Sequence, residues 1–244
     1  THDAQHGAED LLAVDRHFRR HLVEQAAAEE KTAFVRVDFV ANASHELLTP
    51  LAAIKGFIET LDDPAAGDDA ATRSRFLGIM ATETNRMQAL VRDLMSLSRI
   101  EAEKYDPPQT PVDFASIIME TVDHLRNSQK DRGADIAVDV TSDLPPVMGD
   151  VGQLRQLASN ILNNSMKYGH AGTPVSVSLT PSKSGAMINF AVTDVGDGIA
   201  PEHLPRLTER FYRVDSGRSR LVGGTGLGLS LVKHIVDRHR GHLE

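Results

Sequence analysis

Two long runs of apolar residues set the terms for this chain. Val40, Ala43, Leu47, Leu51, Ile54, Ile58 and Leu61 step by three or four residues without a break. Phe76, Met80, Met87, Leu90, Leu94 and Leu97 repeat the pattern in steps of three, four or seven. Heptad-like spacing of this kind predicts two amphipathic helices, one over 32–62 and one from about 71 to 102. Between them DDPAAGDDA (62–70) reads as a loop, so the pair predicts an antiparallel hairpin. A two-helix hairpin has a thin core, yet each helix here carries a wide apolar face. A second copy of the chain completing a four-helix bundle is the natural remedy, which predicts a homodimer.

YDPPQTP (105–111) ends the second helix and marks a boundary, expected to be a hinge. Beyond it the periodicity changes to mixed helix and strand over 112–244. Val112–Phe114 reads as a short strand, 115–131 as a helix, and Ile136, Val138 and Val140 as an alternating strand. A helix over 150–168 follows, with Asp150 as its N-cap. Val175, Val177 and Leu179, then Ile188, Phe190 and Val192, alternate as two more strands. A short helix near 201–207 and a final helix ending near His239 complete the pattern. The expected architecture is an all-α helical hairpin over 32–104 followed by an α+β domain, an antiparallel-type sheet with helices on one face. Residues 1–31 are polar. Leu11, Val14, Phe18 and Leu22 allow either a linker or a signalling helix.

Charge and composition exclude several classes. With 26 Lys and Arg against 34 Asp and Glu, the net charge of −8 argues against nucleic acid as the main partner. The absence of cysteine removes disulfide and Cys-zinc frameworks, and fits the cytoplasm. No apolar run approaches the roughly 20 residues that span a bilayer, and no signal peptide is evident. The chain reads as soluble, or as the soluble part of something longer.

The first helix carries SHELLTP (44–50). The apolar seam includes Ala43 and Leu47, so His45 faces the other side, toward solvent. A lone helical histidine is ordinarily just a surface residue, but two neighbours make this one unusual. Glu46 is adjacent, and Pro50 sits five residues on, inside a helix that continues. Proline there removes one intrahelical bond, freeing the Glu46 carbonyl, at about 3 kcal/mol in an ordinary helix interior. Neutral imidazole is nucleophilic, and the Glu46 carboxylate could take the proton released as the ring attacks phosphorus. Thr49, four residues on, shares the face and could orient a water.

Three segments of the second domain suggest a phosphorylated ligand. Asn160 and Asn164 lie at i and i+4 on one helix and could offer neutral oxygens to Mg2+. Lys167 and Tyr168 follow, a cation for phosphate and a ring for a base. In DVGDG (194–198) the glycines permit close backbone approach, and Asp194 could accept from an exocyclic amine. GGTGLGLSLVK (223–233) runs directly into a helix, an arrangement that presents N–H groups to phosphate. It is not a Walker loop, since GxxxxGK[ST] is absent. Nor is it a dinucleotide fingerprint: the spacing is wrong and no parallel βαβ unit is expected before it.

Together these segments resemble a sensor histidine kinase of the two-component type, over residues 36–243. SHELLTP (44–50) resembles the phosphoacceptor motif, NILNNSMKY (160–168) the N box and DVGDGI (194–199) the first glycine box. RFYRVD (210–215) resembles the F box and GGTGLGL (223–229) the second glycine box. FVANASHE and ERFYRVD look closest to phosphate-regulon sensor kinases. The resemblance implies a dimerisation and phosphotransfer hairpin, followed by an ATP-binding sandwich of the Bergerat type shared with gyrase and heat-shock chaperone ATPases. It implies that His45 takes the γ-phosphoryl group of ATP, with Glu46 as general base and Thr49 serving dephosphorylation of a response regulator. Asn164, helped by Asn160, would ligate Mg2+. Asp194 would bind the adenine amino group, with Tyr168 against the base. Lys167, Gly196, Gly198, Ile199, Gly224, Thr225, Gly226, Leu227, Gly228 and Leu229 would complete the nucleotide site, under a lid at 213–225. The implied setting is cytoplasmic, with the native protein linked to a sensor or membrane segment.

Several positions depart from the family pattern. Leu48 stands where arginine is usual, Val195 where a polar residue is common, and Asn163 and Ser165 where Asp or Glu and Ala are more usual. The chain also stops at HRGHLE, where the family adds a closing strand hairpin; without it a sheet edge would be unpaired. Two other readings also fit the sequence: an ATPase that shares the nucleotide fold, and a scaffold that binds a regulator without phosphorylating it.

Overall fold

The computed structural model describes residues 39–129, 132–214 and 224–244. The expected segment 1–31 and most of the expected lid lie outside the described residues. The chain divides between Asp63 and Pro64 into two compact units.

The first unit is described as one helix, α1, over 39–62. It runs straight through Pro50, which has no N–H to give to the Glu46 carbonyl. Hydroxyls bond back along it: Ser44 Oγ donates to the Val40 carbonyl at 2.8 Å and Thr49 Oγ1 to that of His45 at 3.0 Å. Of the expected stripe, Ala43, Leu47, Ile54 and Leu61 are half-buried, whereas Val40, Leu51 and Ile58 are exposed.

The second unit opens with one helical turn, α2 (Pro64–Gly67), where a plain loop was expected. Pro64 fits there because the first helical residue needs no N–H partner. Asp69 then caps α3 (Ala70–Ala102), accepting the Thr72 N–H at 3.0 Å. Full burial on α3 is confined to Leu90, Leu97 and Ile100, in the half that packs on the last helix, α6 (Gly228–Arg238).

After the prolines, β1 (Pro111–Val112) pairs antiparallel with β3 (Val147–Met148). The expected strand 112–114 is cut short because Asp113 is a helix cap. Its carboxylate accepts the Ser116 N–H at 3.1 Å and starts α4 (Phe114–Ser128). Asp150 caps α5 (Val151–Tyr168) through Gln153, as its position predicts.

The main sheet has the order β2 (Ile136–Val140), β4 (Val175–Pro181), β5 (Ile188–Thr193). β4 and β5 are antiparallel, but β2 and β4 run parallel, with Val138 opposite Val177. The sheet is therefore mixed, not antiparallel throughout. The chain crosses back through α5 between these strands, so a parallel βαβ unit does precede the glycine cluster, contrary to expectation. The glycine spacing still differs from that of a dinucleotide fingerprint. Alternation of buried Val175, Val177 and Leu179 with more open Ser176, Ser178 and Thr180 gives β4 one covered face. Ile117, Ile118 and Val122 of α4, which packs on β2, and Leu154, Leu157 and Leu162 of α5, which packs on β5, are buried as well. Phe114 meets Phe190 edge-on, with centroids 5.7 Å apart. Among the described residues β5 is an edge strand. The helix expected near 201–207 is only a 3-10 turn, Leu204–Arg206.

Candidate functional site

His45 is exposed on α1, as the seam predicts, and Glu46 is half-buried beside it. Thr49 is exposed one turn on, its hydroxyl hydrogen committed to the His45 carbonyl. Only its oxygen lone pairs remain for an incoming water. Leu48 is 58% exposed, so an apolar side chain stands in solvent near the imidazole.

In the second unit, α5 and two glycine-bearing segments converge. Gly169, just past the end of α5, forms an isolated antiparallel bridge with Gly196, and the His170 N–H donates to the Val195 carbonyl at 2.7 Å. Tyr168 and Asp194 thereby flank a single backbone junction. A side chain would not fit there. A Cβ on Gly196 would lie 2.9 Å from the Tyr168 carbonyl oxygen, and one on Gly169 would lie 2.7 Å from that of Ser165. Gly198 needs its φ of +74° rather than the space. His170 Nε2 meets Asp197 Oδ1 at 2.8 Å, a second tie across the junction. Tyr168, Val195 and Ile199 are all substantially exposed. Lys167 places its ammonium 5.1 Å from the centre of the Tyr168 ring.

The second glycine segment meets α5 near the middle of the helix. Asn160 Nδ2 donates to the Gly228 carbonyl at 3.2 Å, which leaves its side-chain oxygen as an acceptor. Asn163 bonds back to Ser159 along the helix instead. Neutral amide oxygens from Asn160 and Asn164 suit Mg2+, which takes few protein ligands and keeps water and phosphate oxygens. No cluster of three His, Asp or Glu that could hold a metal occurs among the described residues. α6 begins at Gly228 without a side-chain cap, so its first N–H groups can face an anion.

Gly226 has φ +73°, and a Cβ there would lie 2.9 Å from Phe211 Cα. Phe211, itself at φ +63°, donates its N–H to the Gly226 carbonyl at 2.8 Å. Arg213 donates to the Gly224 carbonyl. The RFYRVD segment and the second glycine segment are thus laced together. Two of the residues expected at the nucleotide also have partners within the protein. Leu227 is fully buried in the core, and Thr225 turns its hydroxyl to Asp93 of α3 at 2.9 Å while accepting the Leu227 N–H at 3.3 Å.

Sequence reasoning missed the α3 side of this arrangement. Glu101 pairs with Arg210 and lies 3.3 Å from His234 Nε2. Ser96 donates to Gln156 Oε1 at 2.6 Å, and Arg238 pairs with Glu103 at 2.9 Å. Burial raises the Asp93 carboxyl above the usual carboxylate range, partly offset by the Thr225 bond. A signal existed: Asp93 lies three residues after Leu90 and four before Leu97, on the buried face of its helix.

Comparison with known proteins covers both units. Residues 35–103 match the His Kinase A (phospho-acceptor) domain, and 149–244 match the histidine kinase-, DNA gyrase B- and HSP90-like ATPase family. The sensor-like histidine kinase SenX3 of Mycolicibacterium smegmatis is 38% identical over 240 residues, 96% of this chain and 59% of that protein. The phosphate regulon sensor protein PhoR of Pseudomonas aeruginosa is 39% identical over 97% of this chain and 50% of that protein. The chain therefore spans 50% to 59% of the length of these relatives. Among solved structures, full-length ShkA in complex with AMPPNP aligns with a TM-score of 0.55 and 28% identity, over 81% of this chain and 40% of that one. The Acinetobacter baumannii histidine kinase AdeS shares the fold with a TM-score of 0.59 at 24% identity, over 80% of this chain and 86% of that one.

Proposed function

The chain belongs to the sensor histidine kinases, close to those of phosphate regulons, and on that premise we propose that it phosphorylates itself on His45 from ATP. One observation carries this reading. A phosphoacceptor domain with an exposed histidine and an ATPase domain with its glycine segments laced around α5 occur in one chain.

Adenine lies against Tyr168 with its amino group on Asp194, and the phosphates meet the N-terminus of α6 and the glycine backbone. Asn164 and Asn160 would hold Mg2+, which neutralises charge on the phosphate oxygens. A ring nitrogen of His45 attacks the γ-phosphorus, the bond to the β–γ bridging oxygen breaks, and ADP leaves. Glu46 takes the displaced ring proton. Phosphoryl transfer depends mainly on position, so the ATP-bearing domain must move relative to the histidine helix. The segment 105–111 serves as hinge between residues 32–104 and 112–244. That motion has to release Thr225 from Asp93 and Arg210 from Glu101, contacts which tie the ATP-binding elements to α3.

The phosphohistidine then passes its phosphoryl group to an aspartate carboxylate of a response regulator receiver domain. Thr49 assists the later hydrolysis of that regulator, its lone pairs receiving a water. The exposed Val40, Leu51 and Ile58 on α1 are the surface that a second copy covers in a homodimer. The whole protein attaches this cytoplasmic core to a sensor or membrane segment.

Incubation with γ-labelled ATP and Mg2+ tests the proposal. Acid-labile, base-stable label on the protein that disappears in His45→Ala is the expected result. Hydrolysis without label would identify an ATPase instead, and neither signal would identify a scaffold.

A further inference from the structure

We infer that Arg132, outside every motif, is a positioning residue for nucleotide recognition: its guanidinium holds the end of α5 that presents Tyr168 to Asp194. The inference rests on the reading that the base sits at this junction.

Arg132 reaches across 34 to 38 residues of sequence to three backbone carbonyls. Nη1 donates to the Met166 and Gly169 carbonyls, the latter at 3.1 Å, and Nη2 donates to that of His170 at 3.0 Å. These carbonyls belong to the last turn and exit of α5, where helical partners run out and a cation is favoured by the helix dipole. The forked guanidinium suits the task because it directs several N–H groups at once, as an ammonium cannot.

The guanidinium is itself held. Its Nε donates to Asp135 Oδ2 at 3.2 Å, and the same oxygen accepts the Gly172 N–H at 3.1 Å. Both charged side chains are largely buried, at 18% and 14% exposure. Their loop approaches so closely that a Cβ on Gly133 would lie 2.5 Å from the Arg126 carbonyl oxygen. Segment 166–172 is thus fixed on one side by Arg132 and Asp135. On the other it bonds to 195–197, through Gly169 with Gly196, His170 N–H with Val195, and the His170 ring with Asp197. Tyr168 lies between the anchored carbonyls and Asp194 immediately before the bridged strand segment. Loosening Arg132 frees the first wall to slide against the second, which blurs the distance between ring and carboxylate that recognises adenine.

Calorimetric titration of the chain with ATP and with GTP tests this, using Arg132→Met, Arg132→Lys and Asp194→Asn. Arg132→Met is expected to weaken ATP binding about tenfold and to narrow the preference for ATP over GTP, since several charge-assisted bonds are lost. Arg132→Lys should recover part of both, keeping the charge without the fork. In autophosphorylation the loss should appear in KM for ATP with kcat nearly unchanged. ATP affinity and preference within twofold of the parent in both variants would overturn the inference. If Arg132→Met fails to fold, Arg132→Lys decides alone: parent-like preference overturns the inference and a partial loss supports it. Asp194→Asn separates the two levels. Parent-like ATP binding in that variant would remove the nucleotide reading itself, whereas loss there with parent-like Arg132 variants removes only the role of Arg132.

Discussion

Thr225 donates its hydroxyl hydrogen to Asp93 Oδ2 at 2.9 Å, joining the glycine segment ahead of α6 to the later half of α3. Burial raises the folded-state pKa of Asp93, so the folded chain binds the proton more readily than the unfolded chain. The resulting stabilisation is complete below the ordinary value of 3.8 and is lost as pH rises through the raised value. At neutral pH the ionised carboxylate is a cost that the Thr225 bond offsets. Asp93→Asn is therefore expected to hold or raise stability at pH 7, and to remove part of its decline between acid and neutral pH. Thr225→Ala should destabilise by about 1–2 kcal/mol at pH 7 by leaving the carboxylate without its donor. Urea unfolding of the three proteins across that range checks both signs.

Gly226 and Gly228 look alike in the sequence but differ in the structure. A Cβ at Gly226 would lie 2.9 Å from Phe211 Cα, at a φ of +73°. At Gly228 it would rest 3.7 Å from Asn160 Cγ, an ordinary contact. Gly226→Ala is expected to lower stability by about 1–2 kcal/mol or more, through strain at positive φ and displacement of the RFYRVD backbone. Gly228→Ala starts α6 with a better helix former and should change stability by about 1 kcal/mol at most. Thermal melts of the two variants should rank in that order; equal losses would contradict the assigned geometry.

The parts of this molecule that obey a period were legible in its sequence. Long steps of three and four predicted α1 and α3, and Asp150 before an apolar run predicted the start of α5. The parallel pairing of β2 with β4 was not, because Ile136, Val138 and Val140 alternate the same way in either direction. Strand direction is decided by the α5 crossover, a tertiary property. Asp113 looked like part of a strand because a capping carboxylate between Val112 and Phe114 sits among apolar neighbours. The glycine segments and asparagines were legible as types, yet not in their details. Nothing in the spacing of GGTGLGL says that Thr225 faces α3 or that Leu227 fills the core. Arg132 gave no signal, since its acceptors are backbone carbonyls, which every residue has.

Thr49 and Asn164 separate the two halves of the proposed cycle. Thr49 is exposed and its hydroxyl bonds back along its own helix, so Thr49→Ala should leave stability within about 0.5 kcal/mol of the parent. It should impair dephosphorylation of the regulator more than autophosphorylation, and equal losses would count against its assigned role. Asn164→Ala should abolish autophosphorylation while leaving dimerisation unchanged by analytical ultracentrifugation. Dissociation of the dimer in that variant would contradict assigning the two properties to different domains.

His239 ties the end of α6 to the start of α5 in a way that one protonation state alone permits. Its Nδ1 donates to the Ile235 carbonyl at 2.8 Å, and its Nε2 accepts the Asp150 N–H at 3.0 Å. With both nitrogens engaged in these senses the ring is neutral, and a second proton would confront the Asp150 N–H. Burial, first among the causes, lowers its folded-state pKa below the ordinary 6.5; the Arg238 charge adds to this, while the Ile235 bond and Asp150 oppose it. As pH falls through 6.5 the unfolded chain takes up the proton before the folded one, so this contribution is fully present above that value and declines below it. The decline stops once the folded state also protonates. His239→Gln keeps a side chain able to accept the Asp150 N–H and cannot titrate. Its urea midpoint should therefore fall less than the parent's between pH 7.5 and 5.5. Parallel declines in the two proteins would show that the ring does not set the acid sensitivity of this junction.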